Sequence, residues 1–189
     1  MTRGRQAVFA LVCLAQLAVP GSLIVKHERT RTAGNVWRFQ TAPVDPADPF
    51  RGRYVRLDFA VTREPVPLAD PTLAWFEMNR RVYAELAVGK DGYAHLVKVH
   101  EARPAGADYI DVFAQYVAPP RENEAPRPPA LFVRVPFDRY YLPEERAPEV
   151  EREYWEASRK ARDRTYAEVR VRDGHAVLTR LVLDGKPVQ

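Results

Sequence analysis

The feature that most constrains this chain is a run of nineteen residues without a charged side chain, from Ala7 to Val25. A helix rises about 1.5 Å per residue, so the run reaches about 28 Å, close to the roughly 30 Å hydrocarbon core of a bilayer. The run contains one amide, Gln16, and ends without a convincing small-x-small cleavage site. We therefore expect residues 7–25 to form an uncleaved transmembrane anchor rather than a cleaved signal peptide.

The charges around this run do not decide its orientation. Two arginines precede it within residues 1–6, and three basic side chains follow it within residues 26–34, so the positive-inside rule favours neither direction. A short N-terminus followed by a long globular segment usually leads to translocation of that segment. We expect residues 1–6 to be cytoplasmic, residues 26–34 to be a polar connector, and residues 35–189 to fold outside the cytoplasm.

Composition favours strands and short connections after the anchor. The chain has 17 prolines against 9 glycines, which points to many stiff turns. Its net charge of +4 comes from arginines spread among acidic neighbours, so no concentrated basic face is expected and no nucleic-acid partner is indicated. Cys13 is the one cysteine and lies in the apolar run, so the chain forms no intrachain disulfide.

Alternation of apolar and polar residues predicts most of the strands. An Asp-Gly pair, a strong hairpin signal, separates the last two of them. The predicted strands are Val36–Thr41, Arg53–Val61, Val82–Val88, Tyr93–His100, Tyr109–Val117, Leu131–Val133, Thr165–Arg172 and His175–Leu183. Together they predict an antiparallel β-sandwich or open β-barrel of about eight strands.

One helix is expected near the C-terminus, from Pro148 to Arg164. Proline suits a first helical turn, and the acidic start and basic end of this segment match the helix dipole. Its narrow apolar stripe consists of Val150, Tyr154, Ala157 and Ala161, so the helix should pack on a sheet by one edge. The expected fold is therefore mainly β (α+β), with an N-terminal transmembrane helix and one C-terminal helix.

The best local signal lies at residues 44–59, where a rigid turn leads into an alternating strand. The pairs Asp45-Pro46 and Asp48-Pro49 restrict the backbone, and Gly52 allows the positive φ or close approach that a sharp bend requires. After this bend, Val55, Leu57 and Phe59 should face one way, and Tyr54, Arg56 and Asp58 the other.

Gly52-Arg53-Tyr54-Val55-Arg56-Leu57-Asp58-Phe59 resembles the signature of the GDYXXLXY family, small membrane-anchored proteins of bacteria. The positions that carry the motif are Gly52, Arg53, Tyr54, Leu57 and Phe59. Two of them depart from it, because Arg53 stands where the family has Asp and Phe59 replaces the last Tyr. Further matches are Val44–Pro46, Val82–Leu86, Arg139–Glu144 with a later Glu151, and Leu181–Lys186.

The resemblance implies a location and a fold more than a reaction. It implies a single-pass anchor in the bacterial cytoplasmic (inner) membrane, N-terminus inside, with a periplasmic or other cell-envelope domain. Similar family members tend to occur beside or fused to multi-pass membrane proteins. We therefore expect a non-enzymatic binding or accessory module, in contact with membrane lipid through its helix and with an integral membrane protein as its partner.

Counting residues argues against several enzyme classes. The only serines are Ser22, at the membrane segment, and Ser158, on the predicted helix, so the β domain holds no serine nucleophile. The four histidines show no metal-ligand spacing. We expect no catalytic residue, metal or cofactor.

A candidate polar and aromatic cluster remains around the motif. It consists of Asp45, Asp48, Arg51, Tyr140, Tyr141, Glu144 and Glu151. Two of its acids could pair for acid–base chemistry, so the alternative function is a carboxylate-dependent hydrolase acting on cell-envelope material. Structural roles in turns and caps are the preferred interpretation of the acids. The tyrosines are expected in the core, and would mark a protein-binding face if several were exposed together.

Overall fold

The computed structural model describes residues 3–42, 54–70, 77–118, 128–143, 145–160 and 164–188. Two helices and twelve strands lie in these ranges, with a 3-10 turn at Ala60–Thr62. In chain order they are α1 (Arg3–Ala33), β1 (Asn35–Ala42), β2 (Tyr54–Arg56), β3 (Asp58–Phe59), β4 (Val66–Pro67), β5 (Arg81–Val88), β6 (Ala94–His100), β7 (Tyr109–Val117), β8 (Ala130–Arg134), β9 (Arg139–Tyr141), α2 (Ala147–Lys160), β10 (Tyr166–Arg172), β11 (His175–Leu183) and β12 (Lys186–Pro187).

Five antiparallel strands form a barrel sheet in the order β4-β8-β7-β5-β6. The sheet nearly closes, because Leu68, just after β4, bridges to Val99 of β6. The N–H of Ala69 then donates to the carbonyl oxygen of Val99 at 2.9 Å. The expectation of antiparallel β structure with barrel character is confirmed.

A second sheet of five strands has the order β12-β11-β10-β1-β3, and β2 pairs separately with β9. The predicted Asp-Gly hairpin is confirmed, with Asp173 at φ 50° and Gly174 at φ 78° between β10 and β11. Positive φ at both central positions is the geometry of the tight turns that match strand twist. One hydrophobic cluster contains residues of both five-stranded sheets, of β2 and of α2.

The C-terminal helix is confirmed in type and in three of its four stripe residues, since Ala161 lies outside the described residues. Val150, Tyr154 and Ala157 are buried, together with Ala147 and Ser158. The sequence also predicts a helical turn at Thr72–Arg80 and a proline-rich loop at Ala118–Ala130; residues 72–76 and 119–127 lie outside the described residues, and residues 77–80 contain a turn but no helix. The structure has more than the eight predicted strands because it includes very short ones. Strands β2, β3, β4 and β12 are only two or three residues long.

Helix α1 extends beyond the apolar run, through Pro20 and through the residues expected to be a connector. Its last two turns carry an internal ion pair between Glu28 and Arg31, at 2.8 Å, and pack against β10 and β11. Thr30 is only 1% exposed there, and Arg170 donates to the carbonyl oxygens of Thr32 and Gly34 at 3.3 and 3.2 Å. Tertiary contact, which the local sequence does not reveal, therefore keeps these polar residues helical.

Residues Val8–Ala33 of α1 include an eighteen-residue window that is long and apolar enough to cross a membrane. The domain buries none of that window. The structure therefore has a membrane-length helix that leads directly into a β domain.

Candidate functional site

The predicted motif strand is observed as two short strands, and each pairs with a different partner strand. Residues 54–56 form β2, which pairs with β9, and residues 58–59 form β3, which pairs with the end of β1. The break falls at Leu57, whose N–H donates to the carbonyl oxygen of Asp138 at 2.9 Å. The predicted alternation is nevertheless confirmed, since Val55, Leu57 and Phe59 are all buried.

The buried side of the motif is an aromatic cluster. Ring centroids of Phe59 and Phe137 lie 5.3 Å apart, and those of Phe39 and Phe137 lie 5.0 Å apart. Such edge-on and tilted contacts add to the free energy gained by burying the rings. Leu57 and Phe59 therefore fix the path of the motif strand and are not available to a ligand.

Helix α2 contributes a buried hydroxyl to the same region. The Tyr154 hydroxyl lies between the end of β1 and the start of β3, where it accepts the N–H of Asp58 at 3.3 Å. Burial raises the pKa of Tyr154, so the hydroxyl keeps its proton and acts as a hydrogen-bond donor as well. This hydroxyl holds the helix on the motif strand and has no access to substrate.

The Asp58 carboxylate is also committed to the local backbone. It accepts the N–H of Phe59 at 3.0 Å and two guanidinium hydrogen bonds from Arg63, at 3.0 and 2.8 Å. These contacts join Asp58 to Arg63, at the other end of the 3-10 turn that follows β3, although no side chain caps that turn. Asp58 therefore has local structural partners.

The solvent side of the motif strand carries a patch that we call the motif patch: half-buried Tyr54 with exposed Arg139 and Tyr141. The register of β2 and β9 places Tyr54 opposite Tyr141, with ring centroids 5.8 Å apart. The guanidinium of Arg139 lies 5.0 Å from the centre of the Tyr54 ring. A hydrogen bond with Tyr141, and then the proximity of Tyr54 and Asp138, raise the pKa of Arg139, which therefore stays charged.

A groove of about 450 Å³ adjoins this patch, between the motif strand and β8. Leu57 and Val133 lie beneath the groove but are almost completely buried. Arg56 and Arg134 line it, and Arg134 lies 4.8 Å over the ring of Phe113. Arg56 has no side-chain hydrogen bond or ion pair with any residue in the described ranges. We call this the motif groove.

A family model described as GDYXXLXY protein matches residues 16–181, which include the end of the apolar run, the motif strand, β9 and α2. The chain belongs to the GDYXXLXY family. No curated protein and no solved structure shows a significant match to it.

The described residues of the GDYXXLXY motif thus lie on two different faces of the strand. Leu57 and Phe59 are core residues, whereas Tyr54 belongs to the motif patch. Gly52 and Arg53 lie outside the described residues, so their predicted roles stay predictions.

The candidate cluster is only partly visible. Asp45, Asp48, Arg51 and Glu144 lie outside the described residues. Tyr141 is 67% exposed, in contrast to the expectation that it lies in the core. Tyr140 points to the opposite face of β9 from Tyr141. Burial is the largest influence on the Tyr140 hydroxyl and raises its pKa. Glu151 is on the exposed side of α2 and makes no side-chain hydrogen bond or ion pair with the described residues.

Sequence reasoning missed Arg139, Arg56 and the bridging role of Tyr154. Arg139 directly precedes the paired tyrosines, and Tyr154 is the one stripe position with a hydroxyl. Those local signals were present, but the pairing of β2 with β9, which gives Arg139 its position, is long-range. The described residues of this GDYXXLXY protein contain no group of three His, Cys, Asp or Glu side chains placed as metal ligands.

Proposed function

We propose that this membrane-anchored GDYXXLXY protein is a non-enzymatic accessory module that binds an integral membrane protein through its motif patch. The observation that carries the proposal is the contact between half-buried Tyr54 and exposed Tyr141 beside the Arg139 guanidinium, on the face of the motif strand opposite its buried residues. Tyrosine and arginine are enriched where protein interfaces concentrate binding energy.

The motif patch is already ordered before any partner binds. Backbone pairing of β2 with β9 fixes the two tyrosines, and Arg139 is held by a ring on one side and by Asp138 at 3.8 Å on the other. Fixing side chains in advance lowers the entropy lost on binding. The buried neighbours Leu57 and Val55 provide a rigid base for the patch.

The motif groove supplies charge complementarity for the same partner. Arg56 lines the groove and offers a guanidinium without an acid partner among the described residues. A partner that places a carboxylate over the groove would gain a charge-assisted hydrogen bond.

The location of the partner follows from the anchor. Helix α1 leads into the domain without a flexible segment, so the domain stays close to the membrane that holds it. We place the N-terminus in the cytoplasm and the domain in the periplasm. Protease added to intact spheroplasts should then degrade the domain, and protection from it would contradict this orientation.

Site-specific photocrosslinking of the full-length chain in its native membranes tests the partner. p-Benzoylphenylalanine replaces Tyr141 in one chain and Tyr116, a 54% exposed tyrosine of the barrel sheet, in the control. We expect one integral membrane protein to be crosslinked at position 141 and not at position 116. The adduct should disappear when Arg139→Ala is added and persist when Arg164→Ala is added.

Equal adducts at both positions, or adducts only with soluble proteins, would refute the proposal. Undiminished crosslinking in the Arg139→Ala chain would also refute it, because Arg139 is part of the motif patch.

A further inference from the structure

The end of α1 and the β10–β11 hairpin lie side by side, and their contacts set the direction of the hairpin turn. Gly34 lies against Val171, since a Cβ atom at residue 34 would be 3.0 Å from the carbonyl oxygen of Val171. Nearer the apolar run, the ring of His27 contacts His175, with centroids 5.9 Å apart. Moving from Val171 to His175 on the hairpin therefore corresponds to moving back along α1, so the turn points toward the apolar run.

These contacts bring the hairpin close to the bilayer. His27 is two residues past Val25, the end of the apolar run, which is about 3 Å along the helix axis. Adding the 5.9 Å ring contact places His175 within about 10 Å of the hydrocarbon, whereas the headgroup layer is about 5–8 Å thick on each side. The turn at Asp173-Gly174 lies beyond His175 in the same direction and so reaches the headgroups.

The side chains around this turn suit a surface of phosphate groups. Lys26 and Arg29 are exposed and have no acidic partner in the described part of the chain. Arg172 pairs with Asp173 at 3.6 Å, but both side chains are largely exposed, and such pairs are weak. Tyr109 lies against Gly174, and tyrosine is a residue typical of the membrane interface.

We propose that the domain lies directly on the membrane through a headgroup surface made of Lys26, Arg29 and the two exposed residues of the β10–β11 turn, Arg172 and Asp173. Its ligand is the phosphate of anionic phospholipids. Basic residues beside a membrane span are attracted to the phosphates of an anionic leaflet. The surface is separate from the motif patch, and its role does not depend on the identity of a protein partner.

Two Asp-Gly turns at opposite ends of β11 provide a matched test of position. Arg172 precedes the turn Asp173-Gly174, and Lys186 follows the turn Asp184-Gly185. Strand β11 has nine residues, which separates the two turns by about 26 Å. A fluorophore is attached to Arg172→Cys or Lys186→Cys, each in a Cys13→Ser background, in full-length protein in vesicles of phosphatidylglycerol and phosphatidylcholine.

Lipids with a nitroxide on the headgroup should strongly quench the label at position 172 and leave the label at position 186 unquenched. A fluorophore on native Cys13 is quenched by acyl-chain nitroxides when the helix is inserted. Equal quenching at positions 172 and 186, quenching at neither, or an unquenched Cys13 label would each overturn the proposal.

A second measurement tests the ligand. Protein in nanodiscs should enrich fluorescent phosphatidylglycerol around itself, and Lys26→Gln with Arg29→Gln should remove most of that enrichment. Arg159→Gln with Lys160→Gln changes two exposed basic residues of α2 and should leave it unchanged. Equal enrichment in both double variants, or none in the unmodified chain, would overturn the assignment of anionic headgroups as ligand.

Discussion

The Tyr154 hydroxyl donates a hydrogen bond to the carbonyl oxygen of Ala42 at 2.9 Å. Tyr154 is on α2 and Ala42 is the last residue of β1. The same hydroxyl accepts the N–H of Asp58, the first residue of β3. One buried side chain therefore satisfies backbone groups of two paired strands and joins the C-terminal helix to both.

Removing this hydroxyl should destabilise the domain. Tyr154→Phe keeps the ring but leaves the buried carbonyl of Ala42 and the part-buried N–H of Asp58 without this partner, which costs about 1–3 kcal/mol of unfolding free energy. Tyr116→Phe is the control, because Tyr116 is exposed, and it should change stability by less than about 0.5 kcal/mol. Urea unfolding followed by circular dichroism measures both, and equal losses would contradict the bridging role.

The two Asp-Gly turns should respond differently to alanine. Gly174 and Gly185 share φ 78°, so each substitution carries the cost of left-handed backbone, about 1–2 kcal/mol. A Cβ atom at residue 174 would also overlap the Asp111 carboxylate and the Tyr109 ring, whereas residue 185 has open space. Gly174→Ala should therefore lower the melting temperature clearly more than Gly185→Ala, and equal shifts would show that the close approach is unimportant.

Acid should weaken the contact between α1 and the hairpin. Burial, followed by Lys26 and His27, lowers the pKa of His175 below its ordinary value of 6.5, and Asp111 partly opposes this. Below pH 6.5 the unfolded state then binds more protons at this residue than the folded state, so stability falls as pH falls toward the lowered pKa. Above pH 6.5 the residue is neutral in both states and contributes no pH dependence.

This prediction is checked by melting the full-length chain between about pH 7.5 and about pH 5.5, a window that spans an ordinary histidine pKa. His175→Gln should reduce the loss of melting temperature on acidification, and His95→Gln, at an exposed histidine of β6, should not. The same acid loss in the His175→Gln chain would assign the effect to other groups.

Arg170 should control the opening of the last turn of α1. Its guanidinium donates to the carbonyl oxygens of Thr32 and Gly34, which lie at the helix end where such groups lack helical partners. Arg170→Gln should increase amide hydrogen exchange at residues 30–34. Arg180→Gln removes an ion pair with Glu168 but no contact with α1, and should leave that exchange unchanged. A similar increase in both variants would contradict the capping role.

Features set by neighbouring residues were predictable from sequence. The alternation in β1 and β7, the Asp-Gly turn at residues 173–174 and the stripe of α2 each depend on a few adjacent side chains, and the structure confirms them. Alternation at residues 53–61 also predicted the buried face correctly. It could not predict the break at Leu57, because alternation identifies faces and does not identify which strand pairs with which.

The candidate site depends more strongly on distant contacts. Tyr54 and Tyr141 meet only because β2 pairs with β9, and no local pattern encodes that pairing. Residues 26–33 lack the apolar periodicity of a packed helix, yet Arg170 and the hairpin hold them in one. The acids that favour a hydrolase, Asp45, Asp48 and Glu144, lie outside the described residues, so that alternative stays a prediction.

Near-closure of the barrel sheet limits how other chains can associate with it. Its two outermost strands, β4 and β6, already use backbone groups on each other through the bridge of Leu68 and Val99. An open sheet edge would offer free N–H and carbonyl groups to any extended segment, whatever its sequence. At this junction those groups are paired within the chain, so an extended segment cannot add there as a further strand. A partner that binds there must be recognised through side chains. Discrimination between partners then rests on residues that can change one at a time without altering the fold.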